Sequence, residues 1–197
     1  MNELLKTLKV NYLLVNSTNE YLVEYSHLSE NARYTLTGFS GSTGDALVTK
    51  NGIYLFVDGR YHEQADNEVF KNITVCKLQL GQSQDKEIAN FIDENSTFCI
   101  VSKKVSQARL ENFKKLLKDK NIEFKLISDD IINNHTEEHN TNNEKVKCEN
   151  KTFTPKIPTL ITNLEEVSYL TGLRNFSKDN SSKIWKFLYT DNCQQIL

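Results

Sequence analysis

The sequence predicts an α/β fold in which a six-stranded mixed sheet is flanked by helices and followed by a partial repeat of the same pattern. Three observations lead there. From Val10 to Asp130, short β-branched or aromatic runs alternate with longer segments of helical period. An Asn-Gly dipeptide at 51–52 separates two strand-like runs. The order of elements at the start of the chain also recurs near its end.

The first strand is YLLV, residues 12–15. TNEYLVEYSHLSE then places Tyr21, Leu22, Tyr25 and Leu28 at i, i+1, i+4 and i+7, with Thr18 or Asn19 as N-cap, which predicts a helix with one buried stripe. ALVT (46–49) and IYLFV (53–57) flank KNGI, where Asn51-Gly52 suits a two-residue type I′ turn with positive φ at both central positions. A β-hairpin over 46–57 follows. A helix containing Tyr61 to Phe70 leads to the strand ITVCKL (73–78). A helix from Asp85 carries Ile88, Phe91 and Ile92 on one face, before the strand FCIV (98–101). A further helix, from Ser106, carries Leu110, Phe113 and Leu117, with Glu111 four residues before Lys115. EFKL (123–126) completes the set.

After Asp130 the character changes. Asn133 to Pro155 is dominated by Asn, Thr, Glu and Lys with almost no apolar period. The expected organisation is a first domain over 1–132, a polar linker over 133–156 and the truncated start of a second, similar domain over 157–197. In the first copy a strand and a helix precede LTGF at 36–39, then a strand, a turn and a strand. In the second, TLITN and a shorter helix, with Asn163 and Glu166 at capping-box spacing, precede LTGL at 170–173, then WKFLYT, a turn near Asp191-Asn192 and QQIL.

With 24 basic and 26 acidic residues the net charge is -2, which gives no field favouring nucleic acid or an anionic membrane. The opening MNELLKTLKVNYLLVNS is interrupted by Lys6 and Lys9 and has neither a signal-like apolar stretch nor a small-residue cleavage site. No run of about 20 apolar residues is present. Cys76, Cys99, Cys148 and Cys193 are widely spaced, mostly in apolar runs, and read as reduced thiols. A cytoplasmic protein is expected.

Three of the seven glycines, Gly38, Gly41 and Gly44, lie in LTGFSGSTGDALVT (36–49). A phosphate loop requires glycines that open a helix, so that free N–H groups and the helix dipole face the anion. Here they lead into Asp45 and a strand, with no Lys-Ser/Thr pair, so the stretch reads as a turn-rich crossover in which glycine permits positive φ or close backbone approach.

NARYTLTGFSGSTGDALVTKNGIYLFVDGRYHEQA, residues 31–65, resembles the N-terminal domain of the aminopeptidase P branch of the creatinase/prolidase family. The resemblance rests on Arg33 and Tyr34, on Thr37-Gly38-Phe39, Ser40-Gly41-Ser42 and Gly44, and on Asp58-Gly59-Arg60-Tyr61. LEEVSYLTGLR near the end is similar to the start of the second, related domain of the long aminopeptidases P. The amphipathic helix that normally opens that second domain is replaced here by polar linker.

The resemblance implies the non-catalytic N-terminal region of a cytoplasmic Xaa-Pro aminopeptidase, assisting dimerisation and substrate access. Its partners would be a second copy or the catalytic domain of the same enzyme, with peptide substrate reached only through that domain. The family's catalytic domain holds two manganese ions on two Asp, one His and two Glu; it has no counterpart here, so no catalytic, cofactor or metal position carries over. The alternative is a free-standing interaction module that keeps the fold without peptidase activity. Arg33, Phe39, Ser40, Asp58, Arg60 and Tyr61 are the candidates for contact with another domain or the substrate cleft. Local structural roles stand beside that reading: Asp58 accepting N–H groups of the following helix, and Arg60 pairing with Asp58 or Asp45. HTEEH (135–139) formally fits an H-x-x-E-H metal motif, but its polar surroundings read as solvated linker.

Overall fold

The computed structural model of the chain describes residues 2–128, 132, 145–147, 157–175, 188–190 and 195–196. The chain divides into two units, one formed by residues 1–24 and 28–136 and the other by 25–27 and 137–197.

The first unit runs α1 (Asn2–Leu8), β1 (Tyr12–Val15), α2 (Ala32–Thr37), β2 (Asp45–Thr49), β3 (Gly52–Val57), α3 (His62–Glu68), β4 (Ile73–Lys77), α4 (Gln84–Asn90), β5 (Thr97–Val101), α5 (Gln107–Leu116) and β6 (Glu123–Ile127). All six expected strands form within a residue or two of their expected bounds, in one sheet of order β4-β3-β2-β1-β5-β6. β2 is antiparallel to both β1 and β3, while β3/β4, β1/β5 and β5/β6 are parallel. Five strands therefore share one direction and only β2 opposes them.

YLLV is apolar at every position because β1 lies mid-sheet and is covered on both faces. Strand periodicity sorts its side chains. Leu13 and Val15 join Val48, Leu55 and Val57 beneath Leu5 and Leu8 of α1, Ala32 of α2 and Ala65 of α3. Tyr12 and Leu14 join Leu47, Phe56, Phe98 and Ile100 beneath Ile88 of α4 and Leu110 and Phe113 of α5. The result is three layers, helix, sheet and helix. α1 was not among the elements expected from the sequence.

Three expectations need correction. Residues 18–30 form turns and a short 3-10 segment (Leu28–Glu30), not a helix, and Leu22, Tyr25 and Leu28 are exposed. Asn19 accounts for this: its side-chain oxygen accepts from the N–H groups of Tyr21 (3.0 Å) and Val23 (3.5 Å), and Leu22 sits at φ 55. The side chain thus offers the backbone a turn that competes with the helix. The hairpin is present, but Thr49 pairs with Gly52, so its two loop residues are Lys50 and Asn51 and only Gly52 (φ 145) has positive φ. Glu111 pairs with Lys114 at 2.8 Å rather than with Lys115.

In the second unit, β7 (Lys145–Lys147) pairs antiparallel with β9 (Leu173–Asn175), so part of the expected linker is a strand. β8 (Thr159–Ile161) and α6 (Leu164–Thr171) are followed by β10 (Leu188–Thr190) and β11 (Gln195–Ile196) in an antiparallel sheet of order β11-β10-β8. Asn163 caps α6, accepting from Glu165 and Glu166 N–H at 2.9 and 3.0 Å. Val167, Ile161 and Leu188 form a small core. HTEEH, Cys148, Cys193, Trp185 and Phe187 lie outside the described residues.

Phe98 is fully buried, with the rings of Phe113 and Phe124 at 5.3 and 5.9 Å. Phe98→Ala is expected to cost about 3–5 kcal/mol in urea unfolding. Leu126→Ala, on the half-exposed edge strand, should stay within about 0.5 kcal/mol of the parent.

Candidate functional site

The opposed direction of β2 brings its first residue, Asp45, to the edge where β1 and β3 end. Open α/β sheets place their functional groups at the carboxyl ends of the parallel strands. The glycine stretch, DGRY and the N-termini of α4 and α5 all meet this edge.

The stretch begins where α2 ends. Asn31 caps the helix, accepting from Tyr34 N–H at 3.1 Å, and Gly38 takes the left-handed conformation (φ 78) that closes it. Gly41 admits a close approach: a Cβ there would lie 2.4 Å from Phe39 Cζ and 2.9 Å from Tyr61 Cδ1. Arg33 then holds the loop from within. Its Nη1 donates to the carbonyls of Thr43 (2.8 Å) and Gly44 (3.1 Å), its Nη2 donates to that of Gly41, and its guanidinium lies 4.8 Å from the centre of the Phe39 ring. Arg33 is 0% exposed. Burial pushes its pKa down to about 10, while the charges of Asp45, Tyr61 and Glu68 oppose that shift, so it remains a cation at neutral pH.

Glu68 closes the other side, accepting from Ser40 N–H (2.7 Å), Ser40 Oγ (2.9 Å) and Gln64 Nε2 (2.9 Å). Burial alone would raise its pKa, but these hydrogen bonds and the Arg33 charge outweigh it and hold the carboxyl below its ordinary value.

Asp58 caps the turn after β3, accepting from Arg60 N–H at 3.0 Å, and pairs with the Arg60 guanidinium at 2.8 Å. Those bonds from Arg60 lower the Asp58 pKa. Asp45 belongs to a different cation. Arg109, in the first turn of α5, reaches Asp45 Oδ2 and Asp85 Oδ1 at 2.6 Å each, while Ser17 N–H (2.9 Å) and Gln84 Nε2 (2.9 Å) also donate to Asp45. Burial works against the Arg109 charge, but the two aspartates outweigh it and raise its pKa. Sequence reasoning missed this bridge. The available signal was a cation in a helix's first turn, where the macrodipole disfavours it unless a tertiary partner compensates.

Of the six candidate contact residues, Arg33 and Phe39 are wholly buried, Ser40, Asp58 and Tyr61 are half-buried, and Arg60 is exposed. Tyr61 packs edge-on to Phe39 with ring centres 5.7 Å apart, and its hydroxyl lies 2.8 Å from Ser42 Oγ. Among the described residues no cluster of three or more His, Cys, Asp or Glu side chains could hold a metal ion. Asp45, Asp58 and Asp85 are each engaged by an arginine, so this edge does not fit a metal pair. No described helix is long and apolar enough to cross a membrane. Cys99 is buried and Cys76 partly so, and burial pushes the Cys99 thiol up to about 11.

A family model described as the creatinase/prolidase N-terminal domain matches residues 1–133. The chain belongs to this family. Xaa-Pro aminopeptidase 1 of Dictyostelium discoideum is 32% identical over 119 residues, covering 59% of this chain and 19% of that protein. Probable Xaa-Pro aminopeptidase P of Coprinopsis cinerea is 36% identical over 80 residues, covering 41% of this chain and 13% of its own length. The chain thus spans under a fifth of either relative. The crystal structure of X-prolyl aminopeptidase from Caenorhabditis elegans, described as a cytosolic enzyme with a di-nuclear active site, superposes with a TM-score of 0.78 at 19% identity, covering 94% of this chain and 34% of that one. The N-terminal domain of the cytoplasmic peptidase PepQ from Mycobacterium tuberculosis gives a TM-score of 0.50 at 23% identity, covering 64% and 88%. At these identities the structures establish the fold.

Arg33→Met leaves the buried carbonyls of Gly41 and Gly44 and the part-buried carbonyl of Thr43 without their donor and is expected to cost about 3 kcal/mol or more in urea unfolding, at about 1–3 kcal/mol per unsatisfied group. Arg33→Lys should not restore it, because one ammonium cannot reproduce the planar fork. Arg60→Ala, at an exposed pair, should leave the midpoint unchanged. Because the folded Glu68 pKa is depressed, its stabilising contribution is complete above the unfolded value of about 4.3 and is lost as pH falls through the lower folded value. Glu68→Gln should therefore flatten the acid limb of a stability–pH profile.

Proposed function

We propose that this chain serves as the non-catalytic N-terminal region of an Xaa-Pro aminopeptidase, a metallopeptidase that removes the residue preceding proline. The observation that carries this reading is the creatinase/prolidase N-terminal match over residues 1–133, supported by relatives that carry the Xaa-Pro aminopeptidase name. Consistent with it, the arginine-paired carboxylates at the edge are committed to holding loops and helix ends. In this reading the chain works in the cytoplasm and assists dimerisation and access of peptides, with Asp58, Arg60 and Tyr61 facing a second copy or the catalytic domain. Arg33, Phe39 and Ser40 act through the loop they shape. Two manganese ions belong to that catalytic domain and find no ligand set among the residues described here.

Residues 157–197 are read as the start of a second, related domain. The antiparallel β11-β10-β8 sheet, with α6 following β8, parallels β3-β2-β1 with α2 following β1, except that β9 lies between α6 and β10 where the first unit has no strand. Both Thr-Gly helix ends have the same geometry: Thr37 Oγ1 donates to Arg33 O at 2.8 Å and Thr171 Oγ1 to Val167 O at 2.7 Å, before Gly38 and Gly172 in the left-handed conformation. The alternative, a free-standing interaction module, is favoured by one feature: the first unit closes its own sheet and cores.

Purified residues 1–197 should show no turnover of Xaa-Pro peptides with added manganese, and metal-dependent activity that co-purifies with the chain would overturn the non-catalytic reading. Adding a separately produced family catalytic domain distinguishes the two readings: stable association favours the first, and its absence favours the module. Limited proteolysis should cut first within 133–156 and leave a fragment near 1–132 that melts cooperatively. First cleavage inside 31–65 would contradict the domain division.

A further inference from the structure

Asn51-Gly52 is the single Asn-Gly pair in the sequence, and the hairpin displays it at the β2/β3 tip. Asn51 is exposed, and among the described residues no hydrogen bond holds its carboxamide; only its backbone N–H is engaged, donating to Thr49 Oγ1 at 3.1 Å. Gly52 brings no side chain to shield its own nitrogen, and a Cβ built there would have no atom within 4 Å. We propose that this turn is a site of spontaneous deamidation, a covalent modification whose only co-reactant is water.

The backbone nitrogen of Gly52 loses its proton and attacks Cγ of Asn51. The new C–N bond forms as the Cγ–Nδ2 bond breaks, and ammonia leaves with the proton. Water then opens the resulting five-membered imide at either carbonyl, giving aspartate or isoaspartate. The net change is one amide and one water converted to one carboxylic acid and one ammonia, with no oxidant or reductant. Because the deprotonated nitrogen is the attacker, the rate rises with pH.

Other asparagines lack one or both conditions. Asn16, before Ser17, is buried. Asn31, before Ala32, accepts from Tyr34 N–H as the α2 cap. Asn95, before Ser96, accepts from Asn121 Nδ2 at 2.8 Å. Each is followed by a residue whose side chain crowds the attacking nitrogen, as glycine's hydrogen does not.

The product matters to the fold because the loop is only two residues long. An isoaspartate adds one carbon to the backbone between Thr49 and Gly52, and the Thr49–Gly52 and Val48–Ile53 pairings are set by that loop length. The aspartate product adds a negative charge and leaves the backbone path unchanged.

The test is incubation of the folded chain, residues 1–197, at neutral and mildly alkaline pH, followed by peptide mapping by mass spectrometry with isoaspartate detection. The expected result is conversion within the 45–57 peptide several-fold faster than at Asn16, Asn31 or Asn95, faster still at the higher pH, with isoaspartate among the products. Asn51→Gln should abolish the fast ammonia release. Conversion at Asn51 no faster than at Asn95, or aspartate formed without isoaspartate, would overturn the proposal. The mapping of the unmodified parent decides the question even if the variant folds poorly.

Discussion

A single buried guanidinium organises the carboxyl edge of this sheet. Arg33 lies wholly inside the first unit, and its Nη1 and Nη2 donate to main-chain carbonyls of the glycine loop rather than to a carboxylate, while its buried Nε has no hydrogen-bond partner among the described residues. Removing such a charge from water is costly, and the cost is offset to the extent that the group's donors meet fixed acceptors. The loop supplies those acceptors because Gly38, Gly41 and Gly44 let the backbone fold back around the arginine. At Gly44 (φ 106) a Cβ would lie 2.8 Å from Phe56 O. The loop in turn delivers Asp45 to the start of β2, the one strand that opposes the other five, and Asp45 anchors the α4 and α5 N-termini through Arg109. One constraint therefore connects the α2 end, the strand reversal and the helices on the other face.

The fold was largely legible because its strands are strongly apolar and sit between clear breakers. YLLV and FCIV have almost no other way to be satisfied than at the centre of a covered sheet. Where the sequence misled, a polar side chain had intervened. Periodicity over 18–30 suggested a helix, but the Asn19 carboxamide captured the nearby N–H groups and turned the chain. In the hairpin, the Asn-Gly signal located the turn but placed it one residue late, since Gly52 pairs with Thr49 instead of occupying the loop.

The site was legible in part. DGRY could be read locally, because Asp58 and Arg60 are two residues apart and their cap and ion pair are short-range consequences of the turn. The partners of Arg33 and Asp45 could not, because they depend on which loops the sheet topology brings to one edge. Arg109 lies 64 positions from Asp45, and only the strand order places them together. Charge type was visible in the sequence, but pairing was not.

The chain belongs to the creatinase/prolidase N-terminal family, and its carboxyl edge is held together by arginine. The central physical claim is that Arg33 holds the glycine loop, and amide hydrogen exchange tests it residue by residue. In Arg33→Met the account predicts accelerated exchange across residues 38–47, with protection retained in β5 and β6. Unchanged protection across the loop, or a uniform loss across the whole sheet, would contradict it.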